Sequence, residues 1–128
     1  MRTPQACRRY GYTLAAIALC ACTTASVTAD APKTIRAHPI APYDWHEECL
    51  HLEAGDRVEF TFESTEPVDF NVHYHEGKTV VMPISRDKTR ADAGVLVSAL
   101  TQDYCLMWEA GAAGALLDNR VRLRPSGT

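Results

Sequence analysis

The sequence carries none of the common signatures of nucleotide or hydrolase chemistry. Its 128 residues contain no GxGxxG, no GxxxxGKS/T, no HExxH and no GxSxG. The dinucleotide-binding, P-loop, zinc-protease and serine-hydrolase readings therefore fall away. Basic charge is scarce: 13 Lys and Arg stand against 16 Asp and Glu, a net of −3. A chain of that sign is not expected to bind nucleic acid through a basic surface. No apolar run reaches the roughly 20 residues of a membrane-spanning helix. No histidine follows His75, so the Cys–His–Met loop of a blue-copper centre is missing. Ser64, Ser85 and Ser98 have no activating signature beside them, and no carboxylate pair is singled out by its spacing. No catalytic residue is expected, and the chain is read as a non-enzyme. What remains is a globular composition, 46% hydrophobic and 23% charged, enough for one small domain and not that of a disordered chain.

The N-terminus reads as an export signal over residues 1–21. Arg2, Arg8 and Arg9 form a positive region, and an apolar stretch from Leu14 to Ala21 follows. That stretch is too short to span a bilayer and has the length of a signal-peptide core. Two cleavage sites compete. Leu19-Cys20-Ala21-Cys22 resembles the lipobox of bacterial lipoproteins, with Cys22 as the lipid attachment site. Val27-Thr28-Ala29 fits ordinary cleavage after Ala29, which would leave a soluble periplasmic or secreted chain. The lipobox is preferred because Cys22 closes the apolar stretch. Residues 22–44, rich in Thr, Ala, Ser, Asp and Pro near their start, read as a tether to the membrane. Losing the three arginines leaves ten basic residues against sixteen acidic ones, a balance that mildly favours cationic partners.

Of the five cysteines, Cys7 and Cys20 leave with the signal and Cys22 is lipidated or removed. Cys49 and Cys105 remain, in a compartment where disulfides persist. A structural bridge between them is preferred over a reduced pair binding a soft metal. It would close a loop of 56 residues and stabilise the fold by about 4 kcal/mol.

The rest reads as strands, placed in a β-sandwich over residues 45–125. Val58, Phe60 and Phe62 alternate with Arg57, Glu59, Thr61 and Glu63 after the Gly55-Asp56 turn. Leu50 and Leu52 face away from Cys49, His51 and Glu53. Thr65-Glu66-Pro67 is expected to break the chain before Val68, Phe70, Val72 and Tyr74. Val80 to Met82 form a short strand ended by Pro83, and the charged run Ser85 to Arg90 a loop. Val95–Leu100 and Tyr104–Trp108 are expected to pair as a hairpin, and Val121 and Leu123 to lie on a closing strand. About seven short strands at this spacing make the expected fold all-β, an antiparallel β-sandwich of jelly-roll type.

Three of these segments carry a family resemblance. Gly55-Asp56-x-Val58-x-Phe60-x-Phe62, Val68-Asp69-Phe70-Asn71-Val72 and Asp103-Tyr104-Cys105-Leu106-Met107-Trp108 resemble the strand cores of the GOLD (Golgi dynamics) domain over about residues 45–124. The resemblance implies a compact β-sandwich used for protein or lipid interactions and not for catalysis.

Strand phase also gathers donor groups away from the core. Cys49 and His51 share a face, as do His73 and His75, and Cys105 and Met107. His51, His73, His75 and Met107 are thus the candidate ligands of a soft metal such as copper. His38 and His46 fit no pattern, and Asp44, His46, Glu47 and Glu48 read as a polar cap on the first strand. The leading expectation is an exported, lipid-anchored binding or accessory module of the bacterial cell envelope. It would be periplasm-facing, held to the membrane by its anchor, partnered by envelope proteins and without a cofactor. The alternative is a periplasmic copper-binding protein using the His-x-His strand.

Overall fold

The structure, a computed structural model, describes residues 31–127. The expected signal peptide, the Cys22 attachment site and the Ala29 cleavage site lie outside them. Six antiparallel strands and no helix make up the described residues: β1 (Lys33–Ile40), β2 (Trp45–Leu52), β3 (Arg57–Glu76), β4 (Thr79–Val97), β5 (Gln102–Ala110) and β6 (Ala115–Arg124). They hydrogen-bond in the order β1-β6-β3-β5-β2, with β4 along the other side of β3.

The length of β3 organises the fold. Its first part, Arg57 to Ser64, pairs with β6, and its second, Val68 to His73, pairs with β5. Between the two, the β3–β4 register shifts from Glu63 to Val68. Pro67 sits in this irregular stretch, where its missing N–H leaves no gap in a regular ladder. Two layers result. One holds β1, β6 and the first half of β3 with the end of β4. The other holds β2, β5 and the second half of β3 with the start of β4.

The layers close on each other through aromatic rings. Phe60 and Phe62 of the first half lie 5.0 and 4.8 Å from Phe70 of the second, and Trp108 lies 5.3 Å from Phe70 and 5.9 Å from Phe62. Val58, Val68, Val72, Leu52, Leu106 and Leu117 complete an interior closed to solvent. Gly94 faces Phe60 across the β3–β4 pair. A Cβ there would fall 2.7 Å from the Phe60 ring, so glycine is what lets that ring lie flat on the strand.

Several expectations need correction. There are six strands rather than about seven, because the break expected at Thr65-Glu66-Pro67 is a bend within one 20-residue strand. Ser85 to Arg90 is not a loop. Arg86 pairs with Phe70 and Thr89 with Val68, while a bulge at Lys88, with φ of 50°, swings that residue's N–H and Nζ onto Asp69. Val95–Leu100 and Tyr104–Trp108 do not form a hairpin: among the described residues β4 pairs with β3 alone, and β5 lies between β2 and β3. The chain crosses between layers at Ser98, which exchanges backbone bonds of 2.8 Å with Gly55 and Asp56. Finally, the tether expected over 22–44 contains β1, which pairs with β6. Its alternation is hidden in the sequence by a bulge between Ile35 and His38, where Ala37 has φ of 48° and its N–H meets Asp118.

Candidate functional site

The outer face of the second layer carries most of the expected site residues. Cys49 on β2 and Cys105 on β5 are direct register partners and form a disulfide, with Cα atoms 4.0 Å apart. His73 on β3 is the register partner of Cys105 on its other side. One row across three strands therefore reads Cys49, Cys105, His73. The adjoining row reads Glu47, Met107, Asn71.

His73 is buried despite facing outward. Its Nδ1–H donates to Asn71 Oδ1 at 2.7 Å, and its Nε2 faces Glu47 Oε1 at 3.3 Å. Burial pushes the His73 pKa down. Glu47 opposes that shift, and His75, whose ring stands edge-on at 5.3 Å, adds to it. A Glu47 carboxylate oxygen, a His73 ring nitrogen and Cys105 Sγ all lie within 4.8 Å of one another.

The four expected metal ligands are not gathered as a set. His73 and His75 are adjacent, and Met107 lies in the neighbouring row. His51 is engaged elsewhere: its Nδ1 bonds Asp103 Oδ1 at 2.7 Å and its Nε2 lies 3.8 Å from Glu53 Oε1. The Asp103 hydrogen bond raises the pKa of this exposed ring. Glu47 was overlooked as a donor to this face. Its place two residues before Cys49, in the same strand phase, was the available signal.

A second polar cluster lies inside the sandwich, where the layers' outer strands β1 and β2 meet. Glu48 is buried there. It accepts hydrogen bonds from Asn119 Nδ2 at 3.0 Å and His46 Nε2 at 3.2 Å, and Lys33 Nζ lies 3.2 Å away. The His46 ring is 4.2 Å from that of His38 and 5.8 Å from that of Trp108. Thus His46 and Glu48 are interior groups and not a surface cap. Burial would raise the Glu48 pKa; the bonds from His46, Asn119 and Lys33 outweigh it and hold the carboxyl below its usual value. A carboxyl whose pKa is lowered on folding contributes stability above its unfolded value of 4.5. That contribution disappears as pH falls through the lower folded value. Glu48→Gln is therefore expected to cost about 1.5–3 kcal/mol at neutral pH and to flatten the loss of stability below the unfolded pKa. Urea midpoints measured across that acid range check it; an unchanged acid slope would refute it.

The third feature is the corner between β1 and β2. Tyr43 holds a φ of 59°, a conformation costly for a bulky side chain. It is kept there by bonds from Tyr43 N–H to Gly111 O at 3.2 Å, from Asp44 N–H to Ala41 O at 3.1 Å and from Ala110 N–H to Asp44 O at 2.9 Å. Gly114 makes room for the corner: a Cβ on it would meet Ile40 O at 2.8 Å. The result is an exposed aromatic pair, Tyr43 at 74% and Trp45 at 59% of full accessibility. Around them stand Asp44, Glu47 and Glu109, the last being the register partner of Trp45. Sequence patterning singled out neither aromatic as a contact residue, since exposure of an apolar side chain is settled by what packs over it.

No family model matches the chain, and no curated protein matches it. Solved structures do. A periplasmic lysozyme inhibitor of g-type lysozyme, PliG from Aeromonas hydrophila, superposes with a TM-score of 0.53 at 13% identity over 74% of this chain and 88% of the other. A de novo designed double-stranded β-helix aligns with 76% of this chain and 100% of its own at a TM-score of 0.36 and 15% identity. The likeness to PliG is one of fold.

Proposed function

We propose that this chain is an exported accessory module of the cell envelope that acts by binding a protein, with a lysozyme-type cell-wall hydrolase as the partner class. The Tyr43–Trp45 corner carries the reading. Two solvent-exposed aromatics on a corner whose backbone is hydrogen-bonded in place, with carboxylates beside them, have the make-up of a binding hot spot for a cationic surface. An interior filled by side chains fits a module that binds through its surface. The fold shared with a periplasmic lysozyme inhibitor and the resemblance to GOLD strand cores support the same class. The resemblance of Leu19-Cys20-Ala21-Cys22 to a lipobox supports a lipid anchor facing the periplasm. Neither catalysis nor nucleic-acid binding is part of this role.

The test uses the mature chain and purified g-type lysozyme, read by biosensor binding and by clearing of a peptidoglycan suspension. Binding that weakens with added salt is expected. Tyr43→Ala with Trp45→Ala should weaken it by tenfold or more, since truncating a hot-spot aromatic costs about 2 kcal/mol and 1.4 kcal/mol is tenfold. No binding to g-type lysozyme, or binding indifferent to the double substitution, would refute the proposal.

A further inference from the structure

Beside the partner-binding corner, and sharing Glu47 with it, the Glu47–His73–disulfide cluster has a geometry that resembles that of a metal site. Asn71 Oδ1 takes the Nδ1–H of His73 at 2.7 Å, the outer hydrogen bond by which ligating histidines are usually oriented. That leaves Nε2 without this bond and with Glu47 Oε1 3.3 Å away. A lone pair and a carboxylate oxygen at this distance repel unless a cation, proton or metal, lies between them. The Cys105 sulfur belongs to the same cluster, and the Cys49 sulfur reaches it through the bridge, since Cys49 and Cys105 are register partners across β2 and β5 and His73 flanks Cys105 on β3. In the bridged state the sulfurs are not thiolates and the set is incomplete.

We propose that the outer face of the second layer is a thiol-gated zinc site: when the Cys49–Cys105 bridge is reduced, both thiolates, His73 Nε2 and one Glu47 oxygen close around a single Zn2+. Tetrahedral ligands at zinc distances are spaced about 3.3–3.8 Å apart. Glu47, His73 and Cys105 already lie within 4.8 Å of one another, so side-chain rotation covers the difference. The donor set also selects the ion. Two thiolates, an imidazole and a hard carboxylate suit borderline Zn2+ better than Cu+, which prefers sulfur alone. Opening the bridge consumes two electrons and two protons from a dithiol donor, which leaves as a disulfide. Metal binding then displaces the two thiol protons. His51, held by Asp103, takes no part, and neither does Met107.

The experiment uses the mature chain, reduced anaerobically with a phosphine. The phosphine becomes its oxide with an oxygen from water and does not compete for metal as a dithiol would. Titration with Co2+ is expected to give one equivalent bound, with thiolate-to-cobalt charge-transfer absorption, displaced by Zn2+. The bridged chain should give no such band. Zn2+ affinity should fall at least tenfold in His73→Ala and in Glu47→Gln, and stay unchanged in His51→Ala. Near-UV circular dichroism reports whether the reduced chain is folded. A folded reduced chain that binds no Zn2+ stoichiometrically overturns the proposal. So does binding that ignores His73→Ala, as thiols alone would give, and so does a reduced chain that stays unfolded in excess Zn2+. Cu+ uptake with no Zn2+ uptake would overturn it in favour of a soft-metal site.

Discussion

Replacing Cys49 and Cys105 by serine is expected to lower the melting temperature of the domain by on the order of 15 °C or more. The bridge joins residues 56 positions apart, and a closed loop of that length removes about 4 kcal/mol of chain entropy from the unfolded state. For a domain this small each kcal/mol shifts the melting temperature by roughly 4–8 °C. The location adds to the effect. The bridge staples β2, which among the described residues pairs only with β5, and β2 carries Glu48 into the interior cluster. Thermal unfolding of the double variant, and of the native chain with and without a phosphine, checks this. The variant and the reduced native chain should melt together. A double variant that melts with the oxidised native chain would show that the bridge contributes nothing.

The second large effect is expected at Trp108. Its side chain is fully buried and meets Phe62, Phe70 and His46, so it joins both layers. Trp108→Ala should cost about 3–5 kcal/mol, the lost transfer energy plus the cavity left between layers. Trp108→Phe should cost far less, under about 1.5 kcal/mol. The indole Nε1 has no hydrogen-bond partner among the described residues, so phenylalanine gives up ring volume but no bond and relieves a buried donor that costs stability. Urea unfolding of both variants gives the ratio. A Phe variant as unstable as the Ala variant would mean that the indole N–H is satisfied and matters.

The legible parts of this fold were those with strict period two. Val58, Phe60, Phe62, Phe70, Leu106 and Trp108 all face the core as their alternation required. The errors fell at irregular backbone. A bend at Pro67 and a bulge at Lys88 looked like chain breaks because proline and charge runs usually mark turns. The bulge at Ala37 hid β1 inside an expected tether, since one extra residue flips the phase of everything after it. Strand phase placed Cys49, Cys105 and His73 on outer faces, but phase does not say which strands are neighbours. That is why His51 was grouped with His73 and Glu47 was left out.

Local chemistry along the chain was therefore enough to determine an all-β domain and which side chains of each strand point inward. It also favoured pairing Cys49 with Cys105, because these are the two cysteines that lie past the expected export signal and lipobox. Only the tertiary structure decided that β5 sits between β2 and β3, setting His73 against the disulfide and Glu47 against His73. The same packing drew Glu48 inside and left Tyr43 and Trp45 in solvent. Neighbours across a sheet are chosen by non-local hydrogen bonding and by the fit of two layers, neither of which is written into the spacing of residues along one strand.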